Sequence, residues 1–123
     1  MTRQAVSSAQ AHAALGPYSQ AIVAGGFVFC SGTAGIDPAT GVAADGIEAQ
    51  TEQALRNLAA VLEAAGASMA DLVKTTIFYA EVDDFARLNE VFARLGDHPA
   101  TADVRAVRIR VSQGLDEIEL DRG

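Results

Sequence analysis

The spacing of apolar positions changes several times along the chain, and each change marks a predicted element. Over residues 47–65, leucines and alanines recur at intervals of three and four, which predicts an amphipathic helix that ends before Gly66. Asp45 is the expected N-cap of this helix. The same spacing returns over residues 83–95, with acidic residues in the first turn, and predicts a second helix.

Four other segments have the composition or alternation of β-strands. Residues 21–31 contain two apolar runs separated by a Gly-Gly pair, which predicts a hairpin. Residues 73–79 are rich in β-branched and aromatic side chains and predict a central strand. Residues 104–111 alternate apolar residues with arginines, and residues 115–120 alternate them with acids, so two further strands are expected.

The resulting order, β-β-α-β-α-β-β, predicts an α+β fold in a single domain spanning residues 1–123. We expect a mixed sheet that is covered on one face by both helices. On so short a chain the other face of that sheet would stay exposed, and it is most simply buried against further copies of the same chain. The pattern therefore also predicts a homo-oligomer.

Composition and charge exclude several classes of function. The chain has 123 residues, with 9 Lys plus Arg against 16 Asp plus Glu and a formal net charge of -7, which disfavours nucleic acid and anionic lipid as partners. Cys30 is the single cysteine, and no Cys/His spacing indicates a metal site. Without an apolar run of membrane-spanning length or a leader-like start, we expect a cytoplasmic protein with no membrane partner.

Several short strings, in their order along the chain, resemble the RidA (YjgF) family of reactive-intermediate deaminases. They are GPYSQ at 16–20, SGT at 31–33, IDPATG at 36–41, the long stretch 53–92, PA at 99–100 and EIE at 117–119. The resemblance implies a fold of the chorismate-mutase type and homotrimers, in which three sheets form an inner barrel and pockets lie between neighbouring subunits. It also implies hydrolysis of 2-imino or 2-enamino acids to 2-keto acids and ammonia, with no metal or organic cofactor.

The resemblance also implies roles for individual residues of this chain. Tyr18 matches a tyrosine that contacts the ligand, Ser31 a serine near the ligand, and Asn89 a pocket asparagine. Glu117 matches the glutamate that would hold water and transfer a proton, and Asp116 takes its place if the strand register is shifted by one. Each residue has a purely structural alternative: a turn tyrosine, a turn serine, a helix-surface amide and a solvated strand glutamate.

One position departs from the family pattern. Thr101 follows Pro-Ala, where the family has an arginine whose planar guanidinium binds the substrate carboxylate. Loss of such a pair would cost about 2–5 kcal/mol of binding, so we expect weak turnover of ordinary 2-imino acids. Arg105 would share a strand face with Thr101, but four strand residues separate the two by about 13 Å, too far for Arg105 to be assumed as a replacement.

Asp103 lies two places after Thr101 and would share a face of a regular strand with it. If Asp103 and Glu117 both face the pocket, the site has two carboxylates and no cation, which favours cationic iminium or amine ligands. The alternative is that Asp103 pairs with an arginine at an exposed strand end.

The leading hypothesis is therefore a deaminase of reactive imines or enamines whose small-molecule substrate has little anionic character. A non-catalytic trimeric module that binds a small molecule or regulates another protein is the alternative. RNA cleavage or translation inhibition, an activity attached to this family, is disfavoured by the acidity of the chain. The two histidines, His12 and His98, are expected on surface loops, and Cys30 is expected to be a buried small residue without a nucleophilic role.

Overall fold

The computed structural model describes residues 2–95, 106–111 and 117–121. The chain divides into an N-terminal unit, Met1–Ser68, and a C-terminal unit, Met69–Gly123. Among the described residues, each unit has a three-stranded sheet and one α-helix, so the α+β class is confirmed. No helix in this part of the chain combines the length and the hydropathy of a membrane span.

The N-terminal sheet is antiparallel and has the order β1-β2-β3, formed by Gln4–Val6, Ala21–Ala24 and Phe27–Cys30. The predicted hairpin is confirmed, since β2 and β3 are joined by Gly25 and Gly26. Both glycines have positive φ, 58° and 81°, as a tight two-residue hairpin turn requires. The strand β1 is only three residues long, too short for an alternation to show in the sequence.

The first helix, α1, spans Ile47–Ala64, which confirms the predicted helix to within one residue. Gly66, with φ of 82°, follows its end as expected. The predicted N-cap is wrong: Gly46 takes that position, and no side chain caps the helix. Gly46 has φ of 87°, a conformation that glycine adopts without strain, so the chain enters the helix one residue after Asp45.

The core of the N-terminal unit lies between α1 and the sheet. Val61 of α1 is 2 % exposed and clusters with buried residues from β1, from β2 and from the segment that connects them. The other buried members of this cluster are Val6, Ala11 and Ala21. Because these residues are small, the helix can approach the sheet closely.

The C-terminal sheet has the order β4-β5-β6, formed by Thr75–Tyr79, Ala106–Val111 and Glu117–Asp121. β4 pairs in parallel with β5, and β5 pairs antiparallel with β6, so the expected mixed pairing is confirmed. Among these three strands β5, rather than β4, lies in the middle.

The second helix, α2, spans Phe85–Leu95. It begins two residues later than predicted because Val82–Asp84 form a turn of 3-10 helix. Leu88 and Val91 are the buried residues of α2, and the ring of Phe85 stacks on Tyr79 at the end of β4 with 6.4 Å between centroids. The helix is therefore anchored to the strand that precedes it.

The register of the C-terminal sheet places opposite charges at opposed positions of β5 and β6. Arg110 is the register partner of Glu117, and Arg108 is the register partner of Glu119. Successive strand positions alternate between the two faces of a sheet, so these four charged positions share one face. Opposite charges at directly opposed positions favour strand pairing. The arginines of one predicted strand and the acids of the next are thus matched by the register.

Candidate functional site

Tyr18 lies in the turn that precedes β2. Its N–H donates to the Gly16 carbonyl at 2.8 Å, and its hydroxyl oxygen accepts a hydrogen bond from the Leu15 N–H at 3.0 Å. The side chain remains 44 % exposed. Because the phenol oxygen acts as an acceptor in this bond, its own proton is still available to a ligand.

A surface groove of about 550 Å³ runs beside Tyr18. Its walls come from β1, from the segment 7–14 and from the turn that carries the tyrosine. The described residues that line it are small or uncharged, and the polar ones include Ser19 and Gln20. This side of the groove therefore offers hydrogen bonds to a ligand but no ion pair.

Ser31 follows β3 directly, and the backbone near Tyr18 orients its hydroxyl. Ser31 Oγ donates to the Ser19 carbonyl at 2.6 Å, and the Ser31 N–H donates to the Gln20 carbonyl at 3.0 Å. These two bonds tie the residue to the turn that holds the tyrosine. Since its proton is engaged, the Ser31 hydroxyl has only lone pairs to offer, and it suits a ligand with an N–H or O–H donor.

The other described candidates lie in the C-terminal unit. Asn89 is exposed on α2, next to the buried Leu88. Glu117 is the first residue of β6 and has Arg110 as its register partner. Within the N-terminal unit, the structure thus joins Ser31 by hydrogen bonds to Ser19 and Gln20, the two residues that follow Tyr18. The remaining candidates, Thr101, Asp103 and Asp116, lie outside the described residues, as do Arg105 and His98.

His12 is not on the surface, so that prediction is wrong. The residue is 7 % exposed, and both ring nitrogens have backbone partners. Nε2 lies 3.0 Å from the Ala34 nitrogen, and Nδ1 lies 2.9 Å from the Ala13 carbonyl oxygen. These bonds compensate the ring for the loss of water, which explains how an imidazole is accommodated here.

Asn57 of α1 is fully buried at 0 % exposure and contacts the same segment as His12. Its Nδ2 donates to the carbonyls of Ala34 and Ile36 at 3.0 and 2.8 Å, and its Oδ1 accepts from Gln53 Nε2 at 2.9 Å. The sequence contains a signal for this role, because Asn57 lies four residues before Val61 on the apolar face of the helix. A polar side chain on such a face needs hydrogen-bond partners.

Cys30 is half-buried beside the core of the N-terminal unit. Burial raises the pKa of its thiol above the usual range. A thiol with a raised pKa holds its proton at neutral pH and is a poor nucleophile. In the part of the chain that the structure describes, no group of three or more His, Cys, Asp or Glu side chains comes together as a metal site would require.

Comparison with known proteins gives the same result at the levels of family, sequence and fold. The family model Ribonuc_L-PSP, described as endoribonuclease L-PSP, matches residues 8–120. The chain is 46 % identical over 101 residues to Reactive Intermediate Deaminase A, chloroplastic, of Arabidopsis thaliana. That alignment covers 81 % of this chain and 54 % of the plant protein, so the chain spans about half the length of that relative.

Two further proteins are similar over most of their own length. The 2-iminobutanoate/2-iminopropanoate deaminase of Salmonella typhimurium is 40 % identical over 102 residues, which cover 82 % of this chain and 80 % of that protein. The crystal structure of E. coli TdcF with bound serine is similar with a TM-score of 0.80 and 32 % identity, over 98 % of this chain and 99 % of that one. With a family model matching nearly its whole length, this chain belongs to the RidA (YjgF) family.

Proposed function

We propose that this protein hydrolyses reactive imines or enamines to carbonyl compounds and ammonia. The observation that carries the proposal is the similarity, over 82 % of the chain, to a relative named 2-iminobutanoate/2-iminopropanoate deaminase. The hydrogen bonds of Tyr18 and Ser31 support it, because they leave Tyr18 a donor and Ser31 an acceptor for a ligand. Tyr18 lines the groove, and Ser31 bonds to Ser19 and Gln20, which also line it.

Imine hydrolysis requires the protein mainly to position the substrate, a water molecule and a proton-transfer group. A protonated imine carbon is electrophilic, so hydrolysis needs a held water, a group that handles protons and a hold on the substrate. We assign the proton transfer to Glu117: its carboxylate takes a proton from water as the water oxygen bonds to the imine carbon and the C=N π electrons move to nitrogen. Glu117 returns this proton to the nitrogen of the tetrahedral adduct. The adduct's hydroxyl group then loses its proton to the Glu117 carboxylate as its oxygen forms the carbonyl double bond and the C–N bond breaks. Ammonia leaves and takes that proton from Glu117, so the carboxylate is regenerated and the nitrogen departs as ammonium.

The remaining candidates bind the substrate in this proposal. The Ser31 lone pairs accept from the iminium N–H, and the Tyr18 phenol donates to an oxygen of the substrate. We also assign Asn89, Thr101 and Asp103 to substrate binding, on the family resemblance and on the sequence positions of the last two. This set has no free arginine for a carboxylate, and the described lining of the groove is uncharged.

Substrate preference in this proposal rests on Thr101, which stands where the family has an arginine. We therefore propose a substrate of low anionic character, and weak activity on ordinary 2-imino acids. Arg110 is the register partner of Glu117 on the neighbouring strand, and opposite charges at opposed strand positions favour strand pairing.

Ammonia release from freshly generated 2-iminobutanoate tests both statements. We expect slow release by the natural chain and at least about tenfold faster release by Thr101→Arg, because a restored charge-assisted pair is worth about 2–5 kcal/mol. Glu117→Gln in the Thr101→Arg background is the control and should abolish the gain. Rapid release by the natural chain would contradict the altered preference, and no release by any variant would contradict the enzyme assignment.

We further propose that the protein assembles as a homotrimer. Phe27 and Phe29 project from one face of β3, are 56 % and 60 % exposed, and have ring centroids 6.1 Å apart. Two adjacent aromatic rings on a sheet face favour burial against another chain. Sedimentation velocity should give a single species of three times the chain mass, and Phe29→Glu should dissociate it. A monomeric natural chain would contradict the assembly.

A single functional domain and a cytoplasmic location stay predictions.

One observation favours a non-catalytic binding module as the second candidate. The similar E. coli TdcF structure holds bound serine, so a relative of the same fold accommodates an amino acid. A binding module would bind amino or keto acids in calorimetry while Thr101→Arg stays inactive. Hydrolysis by the natural chain or by that variant would decide for the enzyme.

A further inference from the structure

The backbone after Ser31 is held by side chains as well as by neighbouring backbone. Both hydrogen-bonding groups of Ala34 bond to side chains: its N–H donates to His12 Nε2, and its carbonyl accepts from Asn57 Nδ2. Asn57 also donates to the Ile36 carbonyl. The segment 31–36 is thus held from two sides, by the chain that precedes β2 and by the helix α1.

The bonds on the His12 side close a ring. The Ser31 N–H donates to the Gln20 carbonyl, the Gln20 side-chain amide donates to the His12 carbonyl at 2.8 Å, and the His12 ring accepts from Ala34. Because the Ala34 N–H can only donate, Nε2 must carry a lone pair, and Nδ1 must carry the proton that it donates to Ala13. Two backbone groups therefore fix the orientation of the ring.

The segment 31–36 also packs closely against the helix α1. A Cβ atom at Gly35 would lie 2.6 Å from Gln50 Cα and closer still to the Gln50 carbonyl oxygen, far inside van der Waals contact. Glycine at this position lets the segment lie directly against α1, where Asn57 reaches the carbonyls on either side. The position of the segment is consequently fixed relative to both the hairpin and the helix.

We propose that His12 and Asn57 are positioning residues, which hold the segment 31–36 so that the Ser31 hydroxyl stays bonded to the Ser19 carbonyl, directly after Tyr18. This inference rests on the proposed function, in which Ser31 accepts a hydrogen bond from the substrate. Apolar side chains could fill the same volume without desolvating polar groups, but they would not fix the direction of the Ala34 peptide. Fully satisfied buried polar groups specify one conformation.

The test compares His12→Leu with His12→Gln. Leucine removes the acceptor for the Ala34 N–H, whereas the glutamine side-chain oxygen can replace it. We expect amide-exchange protection at Ala34 to fall about tenfold in His12→Leu, as the loss of one hydrogen bond implies. The KM for imine hydrolysis should rise about tenfold in the same variant, with a smaller change in kcat. We expect His12→Gln to recover most of both.

Leu62→Ala is the matched control. Leu62 is 4 % exposed on α1, so its truncation weakens folding while the hydrogen bonds to the segment stay in place. Its KM should match that of the natural chain. An equal rise in KM for Leu62→Ala and His12→Leu would reduce the effect to general destabilisation and overturn the proposal, as would loss of protection in His12→Leu with unchanged KM.

Asn57→Leu removes the hydrogen bonds that the helix α1 makes to the same segment. It is the second test variant and replaces His12→Leu if that variant does not fold. It should expose the segment 31–36 to exchange and raise KM in the same direction. Amide exchange does not depend on turnover, so it tests the positioning role of His12 and Asn57 separately from the proposed enzymatic function. If the natural chain has no deaminase activity, the proposed function fails. Unchanged exchange protection of the segment 31–36 in both leucine variants would overturn the proposal that His12 and Asn57 hold that segment.

Discussion

The two units of the molecule hold their candidate site residues by different means. In the N-terminal unit, neutral hydrogen bonds between side chains and backbone fix Ser31 and the segment that follows it. In the C-terminal unit, Glu117 lies within an alternation of opposite charges set by strand register. Neutral hydrogen bonds fix direction and respond little to salt, whereas the attraction between opposite charges is screened by salt. We therefore expect salt to weaken the C-terminal unit more than the N-terminal unit.

The largest expected effect is on catalysis in the C-terminal unit. Glu117→Gln removes the group that would exchange protons with water, and general acid–base catalysis contributes about 10²–10⁴-fold. Its kcat should fall by that factor, while the affinity for a 2-keto acid product in calorimetry changes little. Glu119→Gln, on the same sheet face opposite Arg108, is the control and should stay within about twofold of the natural kcat, since it takes no proton in the proposal. Equal losses in both variants would refute a specific role for Glu117.

The next effect is on the stability of the N-terminal unit. Gly35→Ala forces a methyl group against the Gln50 backbone and should lower the free energy of unfolding by about 1–3 kcal/mol, as overpacking does. Urea denaturation followed by circular dichroism measures it. A Cβ at Gly32 would meet nothing within 4 Å, so Gly32→Ala is the matched control and should change stability by less than about 0.5 kcal/mol. Equal stability of the two variants would show that the loop does not pack closely on α1.

A smaller effect distinguishes binding from chemistry at Ser31. Ser31→Ala removes the lone pairs offered to the substrate, and we expect KM to rise by about fivefold to tenfold while kcat changes less than threefold. Thr40→Ala removes a hydroxyl that accepts from the Val42 N–H in an exposed loop, and it should leave both constants unchanged. A fall in kcat alone for Ser31→Ala would move that serine from binding to the chemical step.

The smallest effect concerns the charged face of the C-terminal sheet. Arg110→Gln removes the cation opposite Glu117 and should cost only about 0.2–1 kcal/mol of stability. Arg108→Gln removes the cation opposite Glu119 and should cost about as much, and urea denaturation measures both variants. An unchanged free energy of unfolding in both variants would show that the opposed charges do not support the strand pairing.

Elements with strong local signals were predictable, and those that depend on distant partners were not. The helix α1 follows from eighteen residues of regular spacing, and the hairpin follows from its two glycines. The burial of His12 depends on Ala34, twenty-two positions away, and no local pattern encodes that contact. The family resemblance named Tyr18 and Ser31 as candidates, but the direction of the Ser31 proton depends on the Ser19 carbonyl, which only the folded turn supplies.

The charge alternation shows the same division on a smaller scale. Arginines on one strand and acids on the next are visible in the sequence, but the pairing of Arg110 with Glu117 depends on the register of the two strands. A shift by one residue would have placed Glu117 on the opposite face. Register therefore had to come from the structure, and with it came the cationic position that the sequence left unassigned.

The two phenylalanine rings on β3 have a consequence for how the protein behaves in dilute solution. In the homotrimer that we propose, covering Phe27 and Phe29 stabilises the folded chain, so the melting temperature should rise with protein concentration. Dilution would then shift that proposed trimer towards separated chains, and a sample at nanomolar concentration should melt at a lower temperature than a concentrated one.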